Sequence, residues 1–176
     1  MNPRLMPFFI SLGVFVLDRL TKHLIRSGVS VWENIKVIPG FFYIVHAENP
    51  GAAFGFLSES TSPLRTVLLI GLSTVVMFFI CGLLWNPARA GLGDSWMSRC
   101  GLAFILGGAG GNLYDRAFTG TVTDFLEFYL GSYVFPAFNV ADSAITVGAG
   151  LLLIEMWRSR GRHPQPQPAD PTRGGA

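Results

Sequence analysis

Four stretches of the chain are apolar over nearly the length of a membrane crossing, and the polar residues collect at their ends and between them. Leu5 to Ile25 reads "LMPFFISLGVFVLDRLTKHLI". Val67 to Trp85 reads "VLLIGLSTVVMFFICGLLW" and holds no charge. Arg99 to Phe118 reads "RCGLAFILGGAGGNLYDRAF", and Ala137 to Trp157 opens on "AFNVADS" before a long apolar run. A spanning helix needs about 20 mainly apolar residues at 1.5 Å each. The second stretch meets this outright. The other three meet it if their polar ends reach the interface or face the bundle interior. The pattern predicts an α-helical membrane protein with four transmembrane helices. The first stretch is expected to stay in the protein, because Asp18, Arg19 and Lys22 interrupt it and no small-residue cleavage site follows.

Two connecting regions have their own patterns. Val29 to Pro63 contains "NIKVIPGFFYIVHAEN", β-branched and aromatic, with Pro39-Gly40 as a turn, so it reads as strand–turn–strand. This is the small β-rich extracytoplasmic segment of the predicted fold. Thr119 to Pro136, "TGTVTDFLEFYLGSYVFP", is short and rich in Phe and Tyr, and is predicted to lie along the membrane surface. Residues 1–158 read as one membrane domain. Residues 159–176 are rich in Pro and Gly and read as a disordered cytoplasmic tail.

Composition supports the membrane reading. Hydrophobic residues make up 50% of the chain and charged ones 14%, against about 25% charged in soluble domains. A net charge of +2 gives no footprint for nucleic acid. Cys81 and Cys100 lie in apolar runs outside any CxxC or Cys/His cluster, so they read as free, buried thiols and no metal is expected. Positive charge then sets orientation. Arg4, the Arg89 and Arg99 loop, and Arg158, Arg160, Arg162 and Arg173 read as cytoplasmic, which puts both termini inside and the two connecting regions outside.

Ionisable residues in membrane segments are costly and each needs a reason. Asp18 and Lys22 are four apart and share a helix face. They read either as a structural ion pair that docks the first helix, or as support for a site or contact with a substrate's polar group. Gly107, Gly108, Gly110 and Gly111 make the third segment small-faced, for helix packing or for the approach of a substrate chain. Asn112 and Arg116 are four apart at its outer end, and Asp115 and Arg116, as neighbours, need not face the same way. Asp124 in "TVTDFLEF" reads locally as a solvated acid. Asn139 and Asp142 are three apart at the start of the fourth segment, where Asn139 can cap the helix. Orientation brings Asn112, Arg116, Asp124 and Asp142 to one outer rim. Two close carboxylates share a proton, so one can act as base toward a water while the other polarises a carbonyl. No HExxH, GxSxG or P-loop competes, and His23, His46 and His163 are scattered.

In this order, "LDRLTK", "ENPGAAFGFL", "GGAGGNLYDR", "VTDF" and "FNVADS" resemble the signature blocks of bacterial lipoprotein signal peptidase, the type II signal peptidase. The resemblance runs from Asp18 to about Trp157. It implies an intramembrane aspartic endopeptidase of the bacterial cytoplasmic membrane that cuts diacylglyceryl-modified prolipoproteins just before the lipidated cysteine. It implies catalytic Asp124 and Asp142, and supporting roles for Asp18, Lys22, Asn49, Gly51, Ala52, Asn112, Arg116, Asn139 and Ala141. Asp115 belongs to a block but is not expected to be catalytic. The outer β-rich segment would cradle the substrate above the membrane, and the glycines of 107–111 would leave it room. No cofactor is implied. The expected partners are the prolipoprotein substrate and membrane lipid, with the enzyme a monomer. Other readings predict other features. A prepilin- or presenilin-type protease would carry an Asp in a GxGD block, a proton-coupled transporter an inverted repeat with midplane acids, and neither is present. A purely structural bundle leaves Asp124 and Asp142 without a role.

Overall fold

The computed structural model describes residues 5–51, 63–85 and 95–160. Ala52, Arg4, Arg89 and the tail beyond residue 160 lie outside them. Four long helices carry a four-stranded sheet at one end. The order is α1 (Met6–Gly28), β1 (Ile35–Ile38), β2 (Phe42–Asn49), α2 (Pro63–Trp85), α3 (Trp96–Phe118), β3 (Val122–Leu130), β4 (Tyr133–Phe138) and α4 (Val140–Arg160). α1 and α3 run toward the sheet and α4 runs away from it. Two helical stretches, Val67–Trp85 and Val140–Ser159, are long and apolar enough to cross a membrane. α1 and α3 are as long but carry several charges, of which Asp18, Lys22 and Asp115 are buried inside the bundle.

The outside of the bundle is apolar. Phe9, Leu12, Leu20 and Leu24 on α1, Phe78 and Phe79 on α2, and Leu153 and Trp157 on α4 are exposed, while Asp18, Lys22, Asn112, Asp115 and Asn139 are buried. That inverts the usual soluble arrangement and suits a lipid surround.

α3 is the central helix and packs on α1, α2 and α4. Its N-terminus is capped by Ser95, whose side chain accepts from the Ser98 amide at 3.1 Å. Its glycines let neighbouring backbones close in. A Cβ on Gly107 would meet the Ser11 carbonyl at 2.5 Å, and one on Gly108 the Ala141 carbonyl at 2.4 Å. A Cβ on Gly111 would stand 2.4 Å from Asp18 Oδ2. The room expected for substrate at these three positions is therefore already filled by α1 and α4. Gly110 alone of the four is free of close contact, facing Phe15 and Met77 across an apolar groove. Cys81 and Cys100 are free but half-buried rather than buried.

The hairpin β1–β2 turns at Gly40, whose φ of +75° favours glycine. The region 119–136 departs from expectation. It does not form a separate surface segment but a second hairpin, β3–β4, closed at Gly131 with φ +67°. The two hairpins join as one antiparallel sheet in the order β1-β2-β3-β4. The reason is pairing at long range. Phe42 sits opposite Phe128 and their rings stack at 4.8 Å, while Phe128 in turn stacks near Phe138 on β4. Pro136 is tolerated because β4 is an edge strand. Ile25 and Val29 at the end of α1 pack on Phe125 and seat the sheet on the bundle.

Candidate active site

Asp142 stands where it does because of how α4 starts. Asn139 caps the helix: its Oδ1 accepts from the Asp142 amide at 2.9 Å, and Asp142 Oδ2 accepts in return from the Asn139 amide at 3.3 Å. This reciprocal capping box fixes the carboxylate at the mouth of the helix, with its charge near the positive end of the helix dipole. The second oxygen, Oδ1, accepts from Asn112 Nδ2 on α3 at 2.8 Å.

Asp124 comes from β3, in the part of the sheet buried against the bundle, and is 4% exposed rather than a solvated surface acid. Its Oδ1 accepts from Asn139 Nδ2 at 2.6 Å and its Oδ2 from Asn49 Nδ2 at 3.0 Å. Asn139 thus touches both carboxylates. Burial raises Asp124 from the ordinary carboxylate value to about 6; the Asp142 charge adds to this, and the Asn49 and Asn139 amides work against it.

The two aspartates line one cavity of about 510 Å³ between the sheet and α3 and α4. Asn49, Asn112 and Arg116 share the polar part of its wall; Val122, Phe135, Phe138, Ile145 and Val147 supply apolar surface. Arg116 is held by the Gly51 carbonyl at 3.1 Å, and its Nε is buried without a hydrogen-bond partner. Gly51 is itself tied to Asn49, whose Oδ1 accepts from the Gly51 amide at 2.9 Å. The arrangement can hold a water between two carboxylates and grip a peptide by its backbone.

Asp18 and Lys22 do not reach this cavity. They lie beneath it, fully buried, with Lys22 Nζ 2.9 Å from Asp18 Oδ2 and 2.8 Å from Asp115 Oδ2. Lys22 also donates to Asn112 Oδ1 at 2.8 Å, which orients that amide toward Asp142. Asp18 Oδ1 accepts from the buried Ala141 amide at 3.0 Å and so anchors the start of α4 to α1. The ion pair expected from the spacing is present, and it docks α1 on α3 and α4 through Asp115, Asn112 and the Ala141 amide. Asp115 and Arg116 do face different ways: Asp115 turns inward to Arg19, Lys22 and Arg26, with Arg26 Nη2 at 3.2 Å. Arg19, Arg26 and Thr123 belong to this support and were not singled out from the sequence. The signal was present in the spacing 19, 22 and 26, which puts three cations on one helix face that lipid cannot accept. Among the described residues, no group of three His, Cys, Asp or Glu side chains is placed to hold a metal ion.

Residues 10–158 match the family model described as signal peptidase (SPase) II. The chain belongs to the signal peptidase II family. It is 51% identical over 147 residues to a lipoprotein signal peptidase of Solibacter usitatus, covering 84% of this chain and 87% of that one. It is 44% identical over 158 residues to that of Pseudomonas aeruginosa, covering 89% and 90%. Its fold matches a bacterial membrane enzyme solved by the in meso method at 2.3 Å, with a TM-score of 0.77, 26% identity, and 92% and 94% of the two chains covered. As a member of this family the chain is an aspartic peptidase that acts on prolipoprotein signal peptides, and it is a membrane enzyme.

Proposed function

We propose that Asp124 and Asp142 are the catalytic pair of this peptidase, cutting the signal peptide from diacylglyceryl-modified prolipoproteins just before the lipidated cysteine. One observation carries the reading: both carboxylates line the same cavity, and each is held there by amides, with no cation hydrogen-bonded to either among the described residues. A pair so placed shares one proton, and the burial that raises Asp124 to about 6 favours keeping it there. The ionised partner takes a proton from water as the water oxygen attacks the scissile carbonyl carbon. The protonated carboxyl gives its proton to the carbonyl oxygen, producing a neutral tetrahedral diol. Collapse then returns a proton from one hydroxyl to a carboxylate, while the other carboxyl protonates the leaving nitrogen, and the C–N bond breaks. Asn112, Asn139 and Asn49 keep the pair aligned, and Arg116 is placed to hold a substrate carbonyl.

In this reading all four helices cross the bacterial inner membrane, both termini are cytoplasmic, and the sheet lies at the outer face. Charge supports it: Arg99 at the start of α3 and Arg158 at the end of α4 stand away from the sheet, while Arg19, Lys22 and Arg26 at the sheet end are taken up in ion pairs. The enzyme works as a monomer beside membrane lipid, and the diacylglycerol chains stay in the bilayer while the peptide enters the cavity. The test is cleavage of a diacylglyceryl prolipoprotein by purified protein in liposomes, with an unlipidated precursor beside it. Cleavage of the lipidated form alone is expected. Equal rates on both would remove the lipid from recognition.

A further inference from the structure

His46 lies on β2, outside the catalytic cavity, and both of its ring nitrogens face acceptors. Nδ1 is 2.8 Å from the carbonyl oxygen of Val29, and Nε2 is 3.1 Å from Glu48 Oε1. A backbone carbonyl cannot donate. Glu48 cannot either, because burial raises it but hydrogen bonds from Thr121, Thr123 and His46 outweigh that and hold it below the usual range, so it is ionised. Neutral imidazole has one N–H and satisfies one of these contacts; imidazolium has two and satisfies both.

The place of the ring in the sheet gives this a consequence. On β2, Ile44 pairs with Leu126 and Ala47 with Asp124, so Val45 and His46 together oppose Phe125. This is a β-bulge, a device that bends a strand and re-aims its side chains. It sits directly before the residue paired with Asp124, and Asn49, which bonds that carboxylate, is three residues on. His46 ties the bulge at two points: to Val29, where α1 ends, and to Glu48. Glu48 is tied onward to Thr123 of β3 at 2.8 Å and to Thr121 just before that strand at 2.5 Å, and faces Arg26 of α1 at 3.8 Å, which pairs in turn with Asp115 of α3.

We infer that His46 is a positioning residue that works as an imidazolium, pinning the β2 bulge so that Asn49 meets Asp124. Its link to catalysis rests on the role proposed above for Asp124; the protonation of the ring does not.

Two measurements test it. The first is ring 15N NMR of the full chain in micelles, with the His46 signals assigned by their loss in His46→Gln. Both nitrogens protonated at neutral pH is the expected result, in the parent and equally in catalytically dead Asp124→Asn. A neutral single tautomer there overturns the inference. The second is the ratio of parent to His46→Gln kcat against pH. A ratio of about tenfold is expected while the ring is protonated, falling toward one as the ring titrates. Freeing Asn49 also shifts the Asp124 ionisation, so the ratio is read against the ring midpoint found by NMR in Asp124→Asn, and the expected change follows that midpoint rather than the limb set by the aspartate pair. A loss constant with pH marks a merely structural histidine and overturns the inference. His46→Arg, a permanent cation with a forked donor set, should keep most of the activity, and its failure in a protein that still shows native thermal unfolding would count against the clamp. Cleavage surviving in Asp124→Asn is a separate failure, of the catalytic assignment, and leaves the ring's protonation state as found.

Discussion

Two pairs of acids lie on either side of Asn112, three of the four carboxylates buried and Asp142 half-buried, and they differ in company rather than in kind. Asp18 and Asp115 are fully buried among Lys22, Arg19 and Arg26, with Lys22 within 3 Å of both. Asp124 and Asp142 are bonded only by neutral amides from Asn49, Asn112 and Asn139. An acid bonded to cations on a neighbouring helix ties the two helices together and serves as a fastener. Asp124 among amides keeps its place while burial and the Asp142 charge still hold its proton affinity above the ordinary value, against the pull of the Asn49 and Asn139 hydrogen bonds. Asn112 and Asn139 join the two groups: Asn112 takes a hydrogen bond from Lys22 on one side and gives one to Asp142 on the other. The cluster supplies rigidity and the asparagines transmit it without transmitting charge.

The contrast can be broken from either side. The largest effect is expected in the cavity. Asp124→Asn and Asp142→Asn should each lower cleavage by about a thousandfold or more, measured by gel shift of a lipidated precursor, with insertion and thermal unfolding kept. Asp115→Asn, in whatever fraction folds, should retain cleavage. In the cluster, Lys22→Met leaves Asp18 and Asp115 buried without their shared cation. A loss of about 3–5 kcal/mol is expected, seen as a lower unfolding midpoint in detergent. Asn139→Ala removes the helix cap, worth about 1 kcal/mol, and one hydrogen bond to Asp124. It should lower kcat by about tenfold to a hundredfold while the fold survives. The smallest change is a shift in pH. Asn49→Ala deletes a hydrogen bond that favours ionised Asp124, so the Asp124 ionisation should move above about 6. In the kcat/KM profile the limb on which activity falls with rising pH should move to higher pH by less than about one unit. A downward movement would contradict the role given to Asn49.

Much of this site was readable in the sequence because the information was local. "FNVADS" states a helix cap and its N3 acid within a few residues, and the capping box follows. α2 is apolar throughout, so its length alone identifies it. The spacing of Asp18 and Lys22 gave their pairing. What was not readable depends on partners far away in the chain. "TVTDFLEF" looks like a surface stretch until β2 pairs with it, bringing Asn49 and Asp124 together across 75 positions. The glycines of α3 are equally suited to admitting a substrate or a neighbouring helix, and only the positions of Ser11 and Ala141 decide. Arg19 and Arg26 look like interfacial charges until Asp115 is seen facing them.

The central claim is that Asp124 and Asp142 behave as one pair. Its most direct test is the titration of the Asp124 carboxyl by 13C NMR in the full-length enzyme, with and without the charge of Asp142. The account predicts a midpoint near 6 in the parent and a lower one in Asp142→Asn, since the neighbouring charge is part of what raises it. A midpoint near the ordinary 3.8, or one that Asp142→Asn leaves unchanged, would mean that the two carboxylates share a cavity but not a proton.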